Sequence, residues 1–240
     1  MIYVFTHAPD PEEIIVENLK KFMIQDARSA ELWGGNYKNI RISSIHPFAE
    51  LISENVNEIP VKGVLFPSIT IVEDDSGKEV NAGVEESNIK IYKEDITEVV
   101  DNKKKYLISQ ETINALNILL PNANSYVFAK EYTTIITARI SVEIWSDNPI
   151  HKNNIFQLMQ IYFLGIGMKI LNSDWSLKID QSSFSGSKSG NYNYDFGKTL
   201  YGASITFSID YPLTQWVIDD ETEEILSVEH YKENINGESV

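Results

Sequence analysis

The residues most able to support chemistry lie in two glycine-containing motifs. Gly197-Lys198-Thr199 resembles the end of a phosphate-binding loop, but such a loop needs a glycine five residues before Gly197, where this chain has Tyr192. It also needs a following helix, whereas a strand is predicted from Leu200. Gly186-Ser187-Lys188-Ser189-Gly190 has the spacing of a nucleophile elbow, with lysine in place of the central serine. Neither motif meets the needs of its chemistry, and the second predicts a flexible loop.

The acidic and imidazole side chains also lack a catalytic pattern. Glu73-Asp74-Asp75 could gather a hard cation, but it lacks the alternating ligands and closing glutamate of a calcium loop and is interpreted as a solvated turn. Cysteine is absent, which excludes thiolate ligands and thiol nucleophiles. Four histidines have no partner at metal-ligand spacing: His7, His46, His151 and His230. We therefore expect no metal, no cofactor and no enzyme, although a hydrolase with carboxylates from distant positions stays an alternative.

The net charge of −15 excludes nucleic-acid binding through a basic face. The chain has 35 Asp and Glu against 20 Lys and Arg, and phosphate binding needs clustered bases. Residues 73–101 and 219–240 each carry −7, so the rest of the chain is nearly neutral. Such blocks are typical of solvated loops and tails. The longest apolar run, residues 161–168, is too short to span a membrane.

Hydrophobic spacing predicts the elements of the N-terminal half. Asp10-Pro11-Glu12-Glu13 predicts the start of a helix over about 11–30, and a shorter helix is expected after His46-Pro47. Residues 61–73 predict a strand that ends in a turn at Asp74-Asp75-Ser76-Gly77. Beyond the turn, a short strand at 89–92 and a helix near 111–120 are expected.

The C-terminal half shows the clearest pattern. Residues 126–145 predict a strand, and Asp147-Asn148-Pro149 predicts the cap of one long helix that runs to about residue 171. Strands follow at about 175–180 and 200–211, with a long loop over 182–198 between them. Three of the four tryptophans lie in this half, and core or interface positions are expected for all four: Trp33, Trp145, Trp175 and Trp216.

The order of elements predicts an α+β fold, a mostly antiparallel β-sheet with helices packed on one face. We expect one domain over 1–218, with a core of about 1–74 and 126–218 and an acidic insertion over about 75–125. Residues 219–240 are expected to form an acidic C-terminal tail.

Three segments resemble the tail terminator (tail completion) proteins of tailed bacteriophages. The first is the strand, short turn and helix start over residues 137–155, reading TARISVEIWSDNPIHKNNI. The second is the strand FPSITIVE (66–73), preceded by an N-terminal helix, and the third is the closing strand SITFSIDY (204–211). The insertion and the acidic tail depart from the compact family pattern.

The resemblance implies a structural protein of the virion, assembled in the host cytoplasm. It would form a ring, typically a hexamer, that ends tail-tube polymerisation and joins the tail to the neck. The implied partners are other copies of the chain, the tail-tube protein and a neck or head-completion protein, with the sheath as a further candidate. DNA would pass through without specific binding, and no membrane would be involved. A different neck or baseplate component stays an alternative.

Two sets of residues are candidate contact sites. The predicted loop over 182–198 would supply interface anchors between copies: Lys188, Tyr192, Tyr194, Phe196 and Lys198. The acidic insertion would either line a channel that repels DNA or face a neck or sheath partner, through Glu85, Glu86, Glu94 and Asp95.

Overall fold

The computed structural model describes residues 2–25, 40–45, 66–101, 108–122, 125–188, 191–193 and 199–219. The helices in these ranges are α1 (Pro11–Gln25), α2 (Lys93–Asp101), α3 (Gln110–Leu119), α4 (Pro149–Phe163) and α5 (Ile166–Trp175). The strands are β1 (Ile2–His7), β2 (Arg41–Ser43), β3 (Ser68–Tyr92), β4 (Tyr126–Ser146), β5 (Lys178–Ser187), β6 (Asn191–Asn193) and β7 (Thr199–Asp219). The helix expected after His46-Pro47, and the acidic tail apart from Asp219, lie outside the described residues.

The strands form one sheet in the order β1-β7-β4-β3-β2, and β5 and β6 also pair with β7. Strands β1, β5 and β6 run antiparallel to β7, while β2 runs parallel to β3 over residues 68–70. The predicted α+β class with a mostly antiparallel sheet is therefore confirmed. By its internal contacts the chain divides into two compact units, each described below by itself. Unit 1 comprises Met1–Asp10, Val80–Ile136 and Pro212–Val240, and unit 2 comprises Pro11–Glu79 and Thr137–Tyr211.

The core of unit 2 is built from α1, α4 and the alternating residues of two long strands. The predicted helix start at Pro11 is confirmed, and α1 has Glu12 and Glu13 in its first turn, where acids favour the helix dipole. Rings stack through this core, with centroids 4.9 Å apart for Phe163 and Phe207. The fully buried aliphatic residues follow helical spacing on α1 and alternate on the strands: Ile14, Ile15, Leu19, Ile140, Val142, Ile144, Ile205 and Ile209.

The core of unit 1 is smaller and joins four strands to α2 and α3. Its buried cluster contains Phe5, Ile91, Ile96, Leu116, Leu120, Ala129, Trp216 and Ile218. Fully burying a side chain of this size contributes roughly 1.5–3 kcal/mol. The expected core position of Trp216 is confirmed, and Trp145 and Trp175 are half-buried in unit 2.

The predicted turn at residues 74–77 is wrong, because these residues continue β3. Asp and Gly favour turns locally, but β3 lies beside the 21-residue β4 in the sheet, and pairing with a long neighbour outweighs local preference. A backbone irregularity occurs later, at Gly83, whose φ of +147° would strain a residue with a side chain. The described part of the predicted insertion over 75–125 is therefore strand and helix, namely β3, α2 and α3.

The predicted loop over 182–198 is also wrong where it is described. Strand β5 continues to residue 187 and β6 covers 191–193, and both pair with β7. The register shifts between Asp180 and Ser185, where the Ser183 hydroxyl accepts a 2.7 Å hydrogen bond from the Ser208 amide. Hydrogen bonds from Ser182 to the Asp180 carboxylate lower the pKa of that carboxyl below its usual range. The register shift is a β-bulge, and there the serine side chains make hydrogen bonds in place of missing backbone hydrogen bonds between β5 and β7.

The predicted long helix after Asn148 is two helices. The Asn148 cap is confirmed, because its Oδ1 accepts a 2.8 Å hydrogen bond from the amide of Ile150. Helix α4 ends at Phe163, and α5 begins at Ile166 with its axis turned by 46°. Among the described helices, α4 and α5 reach the length and apolar character of a bilayer span only when taken together across this bend.

Candidate functional site

The sheet of unit 1 has two chemically different faces because side chains alternate along its strands. Phe5 and Trp216 lie opposite each other on β1 and β7 and point into the core cluster. Val4 and Val217, one position along, form the neighbouring pair and point to the other side. We call that other side the outer face. Among the side chains that the structure describes, it comprises those at even-numbered positions of β1 and of the unit 1 parts of β3 and β4, and at odd-numbered positions of β7 from Leu213 to Val217.

An aromatic cluster occupies one end of the outer face. The Tyr92 and Tyr126 rings have centroids 5.6 Å apart, and Tyr126 meets Phe128 edge to face at 5.5 Å. The Lys90 ammonium lies 4.8 Å from the Tyr126 centroid and 5.1 Å from that of Phe128. This cation–π contact holds the lysine across the rings without removing its charge from solvent.

One ion pair follows along the same two strands. The Lys130 ammonium lies 3.0 Å from the Glu86 carboxylate, and both side chains are about half exposed. The hydrogen bond from Lys130 to Glu86 raises the pKa of the Lys130 amine above its usual range. Such an exposed pair adds little stability, but it leaves this part of the outer face locally neutral.

A shallow cleft of about 200 Å³ lies further along the outer face. It is lined by Val84, Tyr132, Thr134, Leu213 and Gln215. The Gln215 amide donates a 3.3 Å hydrogen bond to the Thr6 hydroxyl at the rim. Valine is more than half exposed at three positions of this face: 69% for Val80, 64% for Val84 and 57% for Val4. The outer face therefore presents apolar and aromatic groups to solvent in the described residues, which is typical of an interaction surface.

The opposite side of the same strands carries a hydrogen-bonded carboxylate, that of Glu131, at the partly exposed edge of the core. The Trp216 indole N–H donates a 3.0 Å hydrogen bond to the Glu131 carboxylate, which also accepts a 3.4 Å bond from the Ser87 hydroxyl. The His7 ring packs against the Trp216 ring at a tilt of 58°, with centroids 4.5 Å apart. Burial lowers the pKa of the His7 imidazole below its ordinary value, and the nearby Glu131 charge opposes this shift.

Unit 2 exposes a separate apolar patch at the bend between α4 and α5. Ile161, Leu164 and Ile166 are each nearly half exposed, and we call these three residues the bend patch. The sequence predicts one unbroken helix here, in which Ile166 would continue the apolar face formed by Phe156, Met159 and Phe163. The break turns it toward solvent, because Gly165 leaves the helical conformation with φ −126° and ψ −111°.

Two close packings fix the bend. A Cβ on Gly165 would lie 2.7 Å from the Ile161 carbonyl oxygen, and a Cβ on Gly167 would lie 2.6 Å from the Tyr162 ring. The Tyr162 ring is fully buried beside Phe22, with centroids 4.7 Å apart. Its hydroxyl has no hydrogen-bond partner in the part of the chain described, and burial raises the pKa of Tyr162 above its usual value. Close packing at the two glycines thus adds to the backbone hydrogen bonds at the end of α4, where the amides of Leu164 and Gly165 donate to the carbonyl oxygens of Gln160 and Tyr162.

The predicted interface anchors are only partly described. Lys188 is exposed just after β5, with its ammonium 5.6 Å from the Phe156 ring centroid. Tyr192 lies in β6 opposite Leu200 on β7. Tyr194, Phe196 and Lys198 lie outside the described residues. Of the five predicted anchors, the structure therefore describes the positions of Lys188 and Tyr192 alone.

The four predicted acidic contact residues do not share one surface. Glu85 and Glu86 are neighbours on β3, so their side chains point to opposite faces, and Glu86 pairs with Lys130. Glu94 and Asp95 lie in the first turn of α2, where Asp95 accepts a 2.8 Å hydrogen bond from the Tyr92 amide. Asp95 thereby satisfies an amide at the helix start, as in half of a capping box. Whether these groups line a channel stays a prediction.

The motifs considered for chemistry take structural positions where they are described. The Glu73 amide donates a 2.5 Å hydrogen bond to Glu12, and the Glu73 carboxylate accepts a 3.0 Å bond from Tyr211. These two carboxylates therefore tie α1, β3 and β7 together within unit 2. Gly197 and Lys198 lie outside the described residues. No group of three or more metal-ligating side chains occurs within the described ranges.

No protein-family model matches the chain, and no curated protein matches it. The outer face and the bend patch are therefore the candidate functional sites of the described residues.

Sequence reasoning missed both apolar surfaces. The alternation Ile89-Lys90-Ile91-Tyr92 predicts a strand correctly, but it does not tell which side of the sheet the helices cover. The signal available in the sequence was three aromatic residues, Tyr126, Phe128 and Tyr132, at outward positions of strand 126–134, where a solvated face is normally polar.

Proposed function

We propose that this chain is a structural protein of a tailed-phage virion, of the tail-terminator kind. In this role its copies form a ring at the head-proximal end of the tail, end tail-tube polymerisation and join the tail to the neck. The partners are other copies of the chain, the tail-tube protein and a neck protein. The role is assembly rather than catalysis.

The order of the described elements supports the proposal. The resemblance expects an N-terminal helix, a strand, a strand followed by a helix, and two closing strands. Helix α1, strands β3 and β4, helix α4 and strands β5 and β7 follow one another in that order. The added elements are β1, β2, α2, α3, α5 and β6.

The single observation that carries an assembly role is the outer face of unit 1. Strands rise about 3.3 Å per residue and lie about 4.8 Å apart. Four strands of about nine residues each therefore present roughly 600 Å² of sheet surface. That area approaches the roughly 800 Å² that each partner contributes to a standard interface. Its aromatic, valine and leucine side chains, with one internally neutralised ion pair, suit burial against protein.

The test is the mass and shape of the purified chain. Light scattering and negative-stain electron microscopy should show a closed ring of about six copies of 27.3 kDa at concentrations up to about 0.1 mM, where even weak contacts associate. A chain that stays a monomer throughout this range would contradict self-assembly.

A further inference from the structure

The last described strand, β7, ends beside the aromatic cluster of the outer face. Three side-chain hydrogen bonds align β7 with β4 in one antiparallel register, and they join Thr133 to Thr214, Glu131 to Trp216 and Thr137 to Asp210. In that register Asp219, where β7 ends, lies opposite Phe128, and the next outward position of the chain, residue 221, comes level with Tyr126.

The outer face is the open side of the sheet at this end. Among the described residues no strand flanks the chain beyond residue 221, because β4 begins at Tyr126 and the pairing of β1 with β7 ends at Ile2. Helix α2 begins here, and the Lys93 amide donates a hydrogen bond to the Ser125 carbonyl. Helices α2 and α3 then cover the core side of the sheet. A chain that leaves β7 therefore has the outer face beside it.

The residues that follow β7 complement this face in charge and in hydrophobicity. The run Asp220-Glu221-Thr222-Glu223-Glu224 carries four acids, and the apolar run Ile225-Leu226-Ser227-Val228 comes directly after it. The described charges of the outer face sum to +1, from Lys90, Lys130 and Glu86. Glu86 pairs with Lys130, whereas the described contacts of the Lys90 ammonium are with aromatic rings. The cation left over lies where the acidic run begins.

We propose that residues 220–228 turn back over the outer face of the same copy, with the acidic run beside Lys90 and residues 225–228 over the cleft. Nine residues of extended chain reach about 30 Å. The cleft residues Leu213 and Gln215 lie four to six positions before Asp219 on β7, roughly 13–20 Å away. The cleft of about 200 Å³ has room for one or two branched aliphatic side chains.

This contact is internal to one copy and goes beyond the proposed assembly. It removes apolar area of the outer face from water in a copy that has no partner. In the proposed assembly, a partner that binds the outer face first has to displace residues 220–228, so the segment would restrain assembly until that partner arrives.

Pairs of introduced cysteines test the contact, because the chain has no cysteine of its own. In the full chain, Val84→Cys marks the cleft, Leu226→Cys marks the segment, and Ile118→Cys marks an exposed position of α3, on the other side of the sheet. Under mild oxidation in dilute solution, the Val84→Cys/Leu226→Cys protein should form an internal disulfide at least about tenfold faster than the Ile118→Cys/Leu226→Cys protein, because docking raises the effective concentration of the two thiols. Non-reducing gels and peptide mass spectrometry measure the rates, and circular dichroism should show that both proteins are folded. Equal rates would overturn the inference.

A charge variant tests the assigned role of Lys90. Lys90→Gln in the Val84→Cys/Leu226→Cys chain should slow the internal disulfide by about two- to fivefold, the size of effect expected for one exposed ion pair. Lys130→Gln is the matched control and should change the rate less, because Glu86 already engages Lys130. Equal effects of the two variants would remove Lys90 from the contact.

Mixing the two single-cysteine proteins separates docking within one copy from docking between copies. Val84→Cys and Leu226→Cys, mixed at the same dilution, should give little covalent dimer. A dimer that forms as fast as the internal disulfide would show that the segment binds a neighbouring copy, and it would overturn the inference. Either failure leaves the proposed assembly standing, because that proposal is tested by the mass and shape of the unmodified chain.

Discussion

Burial of the His7 imidazole against Trp216 ties its charge state to the packing of unit 1. Its pKa lies below the ordinary value of 6.5 because desolvation disfavours the charged form. The folded protein thus binds a proton at His7 less readily than the unfolded chain does. The stabilisation is fully present above pH 6.5 and is lost as the pH falls through the pKa of the folded state.

The expected result is a steeper loss of stability below pH 6.5 in the wild type than in His7→Gln, which cannot titrate. The difference between the two slopes should reach at most one proton, about 1.4 kcal/mol per pH unit. Urea unfolding between pH 5 and pH 8 measures it, with tryptophan fluorescence as the probe because Trp216 contacts the ring. Parallel curves for the two proteins would show that His7 carries no such linkage.

At the scale of elements, the bend between α4 and α5 depends on a glycine packed against an aromatic ring. Gly167→Ala would place a methyl group 2.6 Å from the Tyr162 ring, which is buried and has no room to move away. We expect the free energy of unfolding to fall by about 1–3 kcal/mol, the usual cost of overpacking. Asn172→Ala, an exposed change on the same helix, should stay within about 0.5 kcal/mol. Equal denaturation midpoints for the two variants would contradict this prediction, because they would show that the Tyr162 ring moves to make room for the methyl group.

Local pattern predicts the long elements well and their ends poorly. The alternation around Ile140 and the Asn148 cap are strong signals because burial and capping act within a few residues. The bend at Gly165 was missed because an apolar helix pattern continues through it. The turn at 74–77 and the loop after residue 181 were wrong because pairing with long neighbouring strands, which the local sequence does not encode, outweighed turn preference.

The site was less predictable than the fold for a related reason. Residues such as Val84 and Leu164 are unremarkable in sequence, since valine and leucine usually lie in cores. Their exposure follows from the placement of helices on the other side of the unit 1 sheet and from a helix break in unit 2. Conversely, Glu86 and Asp95 stand out in sequence by their charge, yet within the fold they make ordinary local contacts.

At the scale of the whole molecule, we expect the chain to act as a subunit of a larger protein assembly. The described residues expose two apolar surfaces, the outer face of unit 1 and the bend patch of unit 2. If copies of the chain assemble through such surfaces, as we propose, each contact removes apolar area from water and stabilises the folded chain. We propose that this assembly takes place at the junction of a phage tail and its head.

Electron microscopy of purified virions, labelled with gold-conjugated antibody fragments raised against this chain, tests that claim most directly. We expect gold label at one position on each particle, where the tail meets the neck, and no label along the tail tube. Label at the distal end of the tail, or particles that carry none, would contradict it.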